Sequence, residues 1–177
     1  MKSFFKILFF LFFIKNTMAQ DLSNTIYLEL KDGKVVIEMK PDKAPEHVKR
    51  IKELINNKFY DGLKFHRVID GFMAQTGDPR GDGTGGSGQN IPAEFNDLPH
   101  IRGTVSMARA QDPDSADSQF FICFQESSFL DGQYTAWGQV IEGMEFVDKI
   151  KRGEGQNGMV DNPDKIISMK LAESAKK

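Results

Sequence analysis

Apolar and other side chains alternate through Thr25-Ile26-Tyr27-Leu28-Glu29-Leu30, and the alternation resumes at Val35, Ile37 and Met39 after Asp32-Gly33. Period-2 runs on either side of an Asp-Gly pair predict a β-hairpin. Over 45–57 the period changes: Val48, Ile51, Leu54 and Ile55 share one stripe and Pro45 suits a first helical turn, so this stretch predicts an amphipathic helix. Met144, Val147 and Ile150, with Gly153 beyond them, predict a second, shorter helix over 144–151. Short apolar runs at 65–69, 72–75, 103–107, 119–124 and 134–141 are cut by Gly, Pro, Asp and Asn, and a last run follows Asn162-Pro163 at 165–171. Many short strands with two helices describe a closed or nearly closed β-barrel, and no break in composition separates a second domain.

One strand position departs from this pattern. Alternation along 65–69 puts Phe65, Arg67 and Ile69 on one face, with His66 and Val68 on the other, so a guanidinium stands between two apolar neighbours. Such a group stays charged at any physiological pH, so it either pairs with an acid or is held there to act on a ligand.

Composition changes the picture only at the N-terminus. A hydrophobic fraction of 40% with 27% charged residues is ordinary for a globular chain of 177 residues. Lys2 and Lys6, however, precede the apolar run 7–14, and Thr17-Met18-Ala19 supplies small residues at the third and first positions before a cut. Residues 1–19 therefore read as a secretory signal cleaved between Ala19 and Gln20, and residues 20–177 as the mature domain. The apolar run is far shorter than the roughly 20 residues that span a bilayer, so no stable membrane insertion is expected. Loss of the leader's three lysines takes the formal charge from −2 to −5. A mildly acidic protein has no electrostatic reason to seek nucleic acid or an anionic membrane. Cys123 is the only cysteine, which excludes an internal disulfide, and its setting in Phe121-Ile122-Cys123-Phe124 reads as a small buried hydrophobe.

Several familiar chemistries fail on spacing. The glycine-rich stretch 81–88 lacks the Lys-Ser/Thr pair of a phosphate loop and reads as a flexible surface loop. Asp112, Asp114 and Asp117 begin like a calcium loop, but the fifth and twelfth positions hold Ala116 and Cys123. His47, His66 and His100 are scattered, so no metal or other cofactor is expected, and no Gly-x-Ser-x-Gly elbow marks a serine hydrolase.

The run Phe65-His66-Arg67-Val68-Ile69-Asp70-Gly71-Phe72-Met73-Ala74-Gln75-Thr76-Gly77-Asp78 resembles the signature of the cyclophilins, the peptidyl-prolyl isomerases. Two later segments match the same family in order: Gly103-Thr104-Val105-Ser106-Met107-Ala108 with Ser118-Gln119-Phe120-Phe121-Ile122, and Phe129-Leu130-Asp131-Gly132 with Gly138-Gln139-Val140. The resemblance extends over about 25–172 and implies a mainly β fold, a closed eight-stranded antiparallel barrel capped by two α-helices. It implies Arg67 as the catalytic residue and Phe72, Met73, Phe121 and Leu130 as a proline pocket rimmed by Phe129 and Tyr134. Gln75 and the backbone around Ala108 and Arg109 would position the flanking peptide, while Gly83, Ala110 and Gln119 would line a neighbouring pocket for the residue before the X-Pro dipeptide. The expected activity is X-Pro isomerisation in proline-containing peptides and unfolded exported proteins. The alternative on the same barrel is a proline-binding module or chaperone with incidental isomerase activity.

Three positions depart from the family pattern. Phe129 stands where many cyclophilins carry tryptophan, which implies weak cyclosporin binding, and Tyr134 stands where they carry histidine. Both changes resemble bacterial members and, with the leader, imply a periplasmic protein. Arg109 replaces the asparagine of Met-Ala-Asn-Ala, so only its backbone role carries over. Trp137, eight residues past the position of Phe129, is expected in the core.

Overall fold

The computed structural model describes residues 22–176, so the leader reading of residues 1–19 lies outside them. Eight strands form: β1 (Thr25–Leu30), β2 (Gly33–Met39), β3 (Arg67–Ile69), β4 (Met73–Thr76), β5 (Thr104–Met107), β6 (Phe120–Cys123), β7 (Ala136–Glu142) and β8 (Ser168–Leu171). They join one antiparallel sheet in the order β3-β4-β6-β5-β7-β2-β1-β8, which curls into a half-barrel. The two end strands share no ladder. The curl is closed instead by the chain ahead of each: Lys64 bridges Lys165, Phe65 N–H donates to the Asp164 carbonyl at 2.9 Å, and Gly62 N–H donates to the Ile166 carbonyl at 2.8 Å. That closure explains why 65–69 is shorter as a strand than its alternation predicts. Phe65 belongs to the closing segment and turns into the core, leaving Arg67 and Ile69 alone on the outer face.

The register of the sheet sorts the two faces. Val68, Ala74, Ile122 and Val105 lie opposite one another across β3, β4, β6 and β5, and all four are buried in the interior. One residue along, Arg67, Gln75, Phe121 and Ser106 form the corresponding outward row, flanked by Ile69, Met73 and Cys123. A period of two thus places the core on one side of these strands and a functional surface on the other. Trp137 is fully buried as expected and meets the Phe120 ring edge-on, with centroids 5.6 Å apart.

The first helix, α1 (Pro45–Asn56), buries His47, Val48, Ile51, Leu54 and Ile55 and packs against β8. Its N-terminus is capped from a distance: the Glu94 carboxylate accepts from Glu46 N–H at 3.1 Å and from His47 N–H at 2.9 Å. A carboxylate there satisfies free amides at the positive end of the helix dipole. The second helix, α2 (Met144–Val147), is half the predicted length. The Arg152 guanidinium takes the carbonyls of Asp148 and Ile150, at 2.9 and 2.6 Å, and the turn tightens to bonds from Lys149 to Phe146 and from Ile150 to Val147. Its periodic apolar residues Val147 and Ile150 are nevertheless buried.

The glycine stretch 81–88 is not a flexible loop. It is wound between two carboxylates: Asp78 accepts from the backbone of Arg80, Asp82 and Gly83, while Asp117 accepts from Ser87 and Gly88. A Cβ on Gly85 would lie 2.1 Å from Asp78 Oδ1, and one on Gly86 would lie 2.3 Å from Asp117 Oδ2. The glycines are therefore required by close approach of an acid to the backbone. Burial pushes the Asp78 carboxyl up, but the amides around it outweigh burial and hold it below the usual carboxylate range.

Candidate active site

Met73, Phe121, Cys123 and Leu130 form a small apolar cluster separate from the main core, with Ile69, Phe72, Ala108 and Tyr134 packed against it. Three elements assemble it. Strands β4 and β6 supply Met73, Phe121 and Cys123 by alternation, and the 3-10 turn Ser128–Leu130 sends Leu130 inward and Phe129 outward. The Leu130 carbonyl then accepts from Tyr134 N–H at 3.1 Å, which returns the chain so that the Tyr134 ring meets Phe121 edge-on at 5.9 Å. Phe129 is 64% exposed and leans on Phe72, with centroids 5.4 Å apart. Burial in this cluster pushes the Cys123 thiol up to about 12, so it is an inert hydrophobe.

Above the cluster opens a cavity of about 440 Å³ whose wall includes Arg67, Phe72, Met73, Gln75, Phe121, Phe129, Leu130 and Tyr134. Arg67 has no ion-pair partner among the described residues; Nε donates to the Asn157 carbonyl at 2.9 Å and Nη1 to Gln75 Oε1 at 3.1 Å. Of the two fates its sequence position allowed, pairing with an acid is the one not observed. Burial pulls its pKa below the ordinary arginine value, with Tyr134 acting in the opposite sense. The guanidinium remains a cation, fixed by two neutral oxygens at the mouth of an apolar cup.

The bonds continue outward in one direction. Gln75 Nε2 donates to Gln119 Oε1 at 2.9 Å, and Gln119 Nε2 donates to the carbonyls of Gly83 and Gly85 at 3.1 and 2.7 Å. Because guanidinium can only donate, it fixes the orientation of both amides, and the relay locks the glycine loop to β4 and β6. Beyond it lies a second cavity of about 290 Å³, lined by Gly83, Ala108, Arg109, Ala110 and Gln119 among others. The Ala108 N–H already donates to the Gln119 carbonyl at 2.9 Å, so it is not available as a donor to a peptide. All thirteen residues singled out by sequence thus fall around two adjoining cavities.

Three further residues line the larger cavity: His66, Asp82 and Met159. Alternation puts His66 on the face opposite Arg67, but His66 precedes β3, and its buried ring lies beneath the loop, with Nε2 3.9 Å from where a Cβ on Gly83 would stand. Burial pulls its pKa below the ordinary histidine value, with Asp78 acting against it, so the ring is neutral. Met159 lies in segment 153–160, which runs along the free edge of β3 through bonds from Val68 to Gly158, Gly153 to Val68 and Val160 to His66. That segment has no apolar period, so only its pairing reveals it. Among the described residues no group of three or more His, Cys, Asp or Glu could hold a metal ion.

A half-barrel with an apolar cup on its outer face fits the rotamase class of isomerases. The family model described as cyclophilin type peptidyl-prolyl cis-trans isomerase/CLD matches residues 25–171. The chain belongs to the cyclophilin family and is a cyclophilin-type peptidyl-prolyl cis-trans isomerase. A Brucella suis protein named as a probable peptidyl-prolyl cis-trans isomerase is 51% identical over 92% of this chain and 90% of its own length. Bacillus subtilis peptidyl-prolyl cis-trans isomerase B is 44% identical over 73% of this chain and 92% of its own. Among solved structures, a cyclophilin from Hirschia baltica superposes with a TM-score of 0.76 at 30% identity, covering 85% of this chain and 74% of that one. A Cryptosporidium parvum cyclophilin-type isomerase, solved in the presence of the dipeptide Ala-Pro, gives 0.77 at 27% identity, covering 83% and 98%.

Proposed function

We propose that this isomerase works through Arg67 on X-Pro bonds of exported proteins during their folding. Rotation about a peptide bond meets a barrier of roughly 18–20 kcal/mol because the nitrogen lone pair is conjugated with the carbonyl. X-Pro bonds have near-equal cis and trans energies yet exchange over tens to hundreds of seconds, slow enough to limit folding. Acceleration needs neither nucleophile nor cofactor, only tighter binding of the twisted amide than of either planar form.

The observation that carries this reading is the Arg67 guanidinium, held by Asn157 and Gln75 without a neutralising acid beside the apolar cup. In the twisted amide the lone pair is localised on nitrogen, and a preorganised donor meets charge that neither planar ground state presents. Phe72, Met73, Phe121 and Leu130 would hold the proline ring, with Phe129 and Tyr134 at the rim. Gln75 and the Ala108 and Arg109 backbone would bind the flanking peptide, and Gly83, Ala110 and Gln119 the residue before the dipeptide. The Ala-Pro dipeptide present with the Cryptosporidium parvum relative supports proline-containing peptides as ligands. The charged, apolar and small-residue order of residues 1–19 supports export, to the periplasm, with cleavage after Ala19.

A protease-free isomerisation assay on an X-Pro peptide, with refolding of a proline-limited protein alongside, tests the activity. Wild type accelerates both, and Arg67→Ala loses most of the effect; equal rates for the two proteins would discard the role of Arg67. N-terminal sequencing of the native protein tests export, with Gln20 expected first and an intact Met1 overturning it.

A further inference from the structure

Arg109 stands where the two cavities meet and lines both of them. Its guanidinium lies over the Tyr134 ring with Cζ 4.6 Å from the centroid. Nε and Nη2 donate to the Gln133 carbonyl at 3.3 and 2.9 Å, and Nη1 donates to the carbonyls of Ala110 and Gln111 at 2.9 and 3.1 Å. All three acceptors are neutral, so the four bonds fix the group without cancelling its charge, and one Nη2–H is left over. The arginine ion pairs among the described residues are Arg50–Glu53, Arg102–Asp148 and Arg152–Asp70; Arg109 has none.

The acids of the two cavities are otherwise engaged. Asp117, in the smaller cavity, accepts from Ser87 N–H at 2.9 Å, from the Ser87 hydroxyl and from Gly88 N–H at 2.8 Å, and Arg50 Nη2 backs it by donating to Ser87 Oγ at 2.8 Å. Asp82, in the larger, accepts from both the backbone and the hydroxyl of Thr84, at 2.9 and 2.7 Å. Both negative charges are thus met by donors of the 81–88 stretch, whereas the positive charge at the junction is not met by any acid among the described residues.

We infer that Arg109 is a specificity-determining residue that makes this isomerase favour peptides with an acidic side chain immediately before the X-Pro dipeptide. This rests on the reading above that the smaller cavity receives that residue. A carboxylate entering it meets the free Nη2–H and an uncompensated cation held rigid by four bonds to three carbonyls, so little side-chain entropy is lost when the pair forms. A lysine entering the same space meets a like charge. The cation–π contact with Tyr134 keeps the guanidinium over the boundary between the sites instead of out in solvent.

Three peptides differing only in that residue, Glu-Ala-Pro, Ala-Ala-Pro and Lys-Ala-Pro, test the inference through kcat/KM at low and high salt. At low salt the order is Glu above Ala above Lys, with about three- to tenfold between the extremes, as expected for a partly exposed pair plus a like-charge penalty. High salt compresses the spread. Arg109→Gln flattens it and Arg109→Lys retains it, although lysine cannot make the four carbonyl bonds; a purely structural arginine would let both variants behave alike. Equal turnover of the three peptides by wild type, or a preference that survives Arg109→Gln, overturns the inference while leaving the isomerase reading intact. Absence of turnover with all three removes both.

Discussion

The imidazole of His100 lies nearly parallel to the Phe121 ring, with 21° between planes and 6.2 Å between centroids. The ring cannot swing away, because Nδ1 is bonded to Asp131 Oδ1 at 2.8 Å and Nε2 to Ser106 Oγ at 2.9 Å. Ser106 is itself the cross-strand neighbour of Phe121. The back wall of the apolar cup is therefore braced by the buried His100–Ser106 pair on one side and by Tyr134 on the other.

Two replacements separate the stack from the bonds. His100→Phe keeps an aromatic face against Phe121 but leaves Ser106 unpaired, costing about 1–3 kcal/mol of stability. His100→Ala loses the ring as well, which costs about 2–4 kcal/mol and opens space behind Phe121. We expect the alanine variant to lose several-fold more kcat/KM than the phenylalanine variant, measured on the same X-Pro peptide. Full activity in His100→Ala would show that the stack does not bear on the site.

Arg67→Ala should lower kcat/KM at least tenfold. The two bonds it loses go to neutral acceptors at a partly exposed position and contribute about 0.5–1.5 kcal/mol each, so melting should fall by about 2–12 °C. Lysine at 67 should rescue poorly, since one ammonium cannot reproduce the planar fork that spans Asn157 and Gln75. Calorimetry beside kinetics decides between this and a structural arginine, for which stability would collapse.

Stability should decline as pH falls through about 6.5. Burial pulls the pKa of both His47 and His66 below 6.5, against the opposing pull of Glu94 and Asp78 respectively. The unfolded chain takes up protons near pH 6.5 that the folded chain refuses, so stability is complete above that value and is lost on descending toward the depressed folded values. The slope is at most about 1.4 kcal/mol per pH unit for each histidine. Urea midpoints across this descent measure it, and His47→Gln should make it shallower; a flat profile would contradict both assignments.

Cyclosporin should inhibit weakly. Phe129 is exposed at the rim and offers no N–H. Losing one hydrogen bond of the kind an indole could make weakens a complex by about 0.5–1.5 kcal/mol. Phe129→Trp should tighten inhibition far more than it alters kcat/KM, because Phe72, Met73, Phe121 and Leu130 make up the cup. Titration of the drug against both proteins tests this, and equal inhibition constants would sink it.

Strands, helices and the cup were legible where local period and motif agreed. The β1–β2 hairpin follows from Asp32-Gly33, and α1 from its stripe and Pro45. Legibility ended where distant groups decide. The length of α2 is set by Arg152 capturing carbonyls, the order of the 81–88 loop by Asp78 and Asp117, and the inward turn of Phe65 by pairing with Asp164. His66, Asn157 and Met159 escaped for the same reason: their places depend on the docking of 153–160 against β3, which no window around Arg67 contains.

That docking has a bearing on biosynthesis. The bond from Arg67 to the Asn157 carbonyl joins residues 90 apart, and the barrel seam needs 164–166 as well. A chain truncated after β7 would hold the residues of the cup and Gln75 but lack the Asn157 carbonyl that also supports its arginine. Contacts of such long sequence separation form late, so competence should arrive abruptly once residues 157–166 are present to dock. Truncated products would then bind proline without turning it over, and catalytic onset would serve as a clock for completion of the fold.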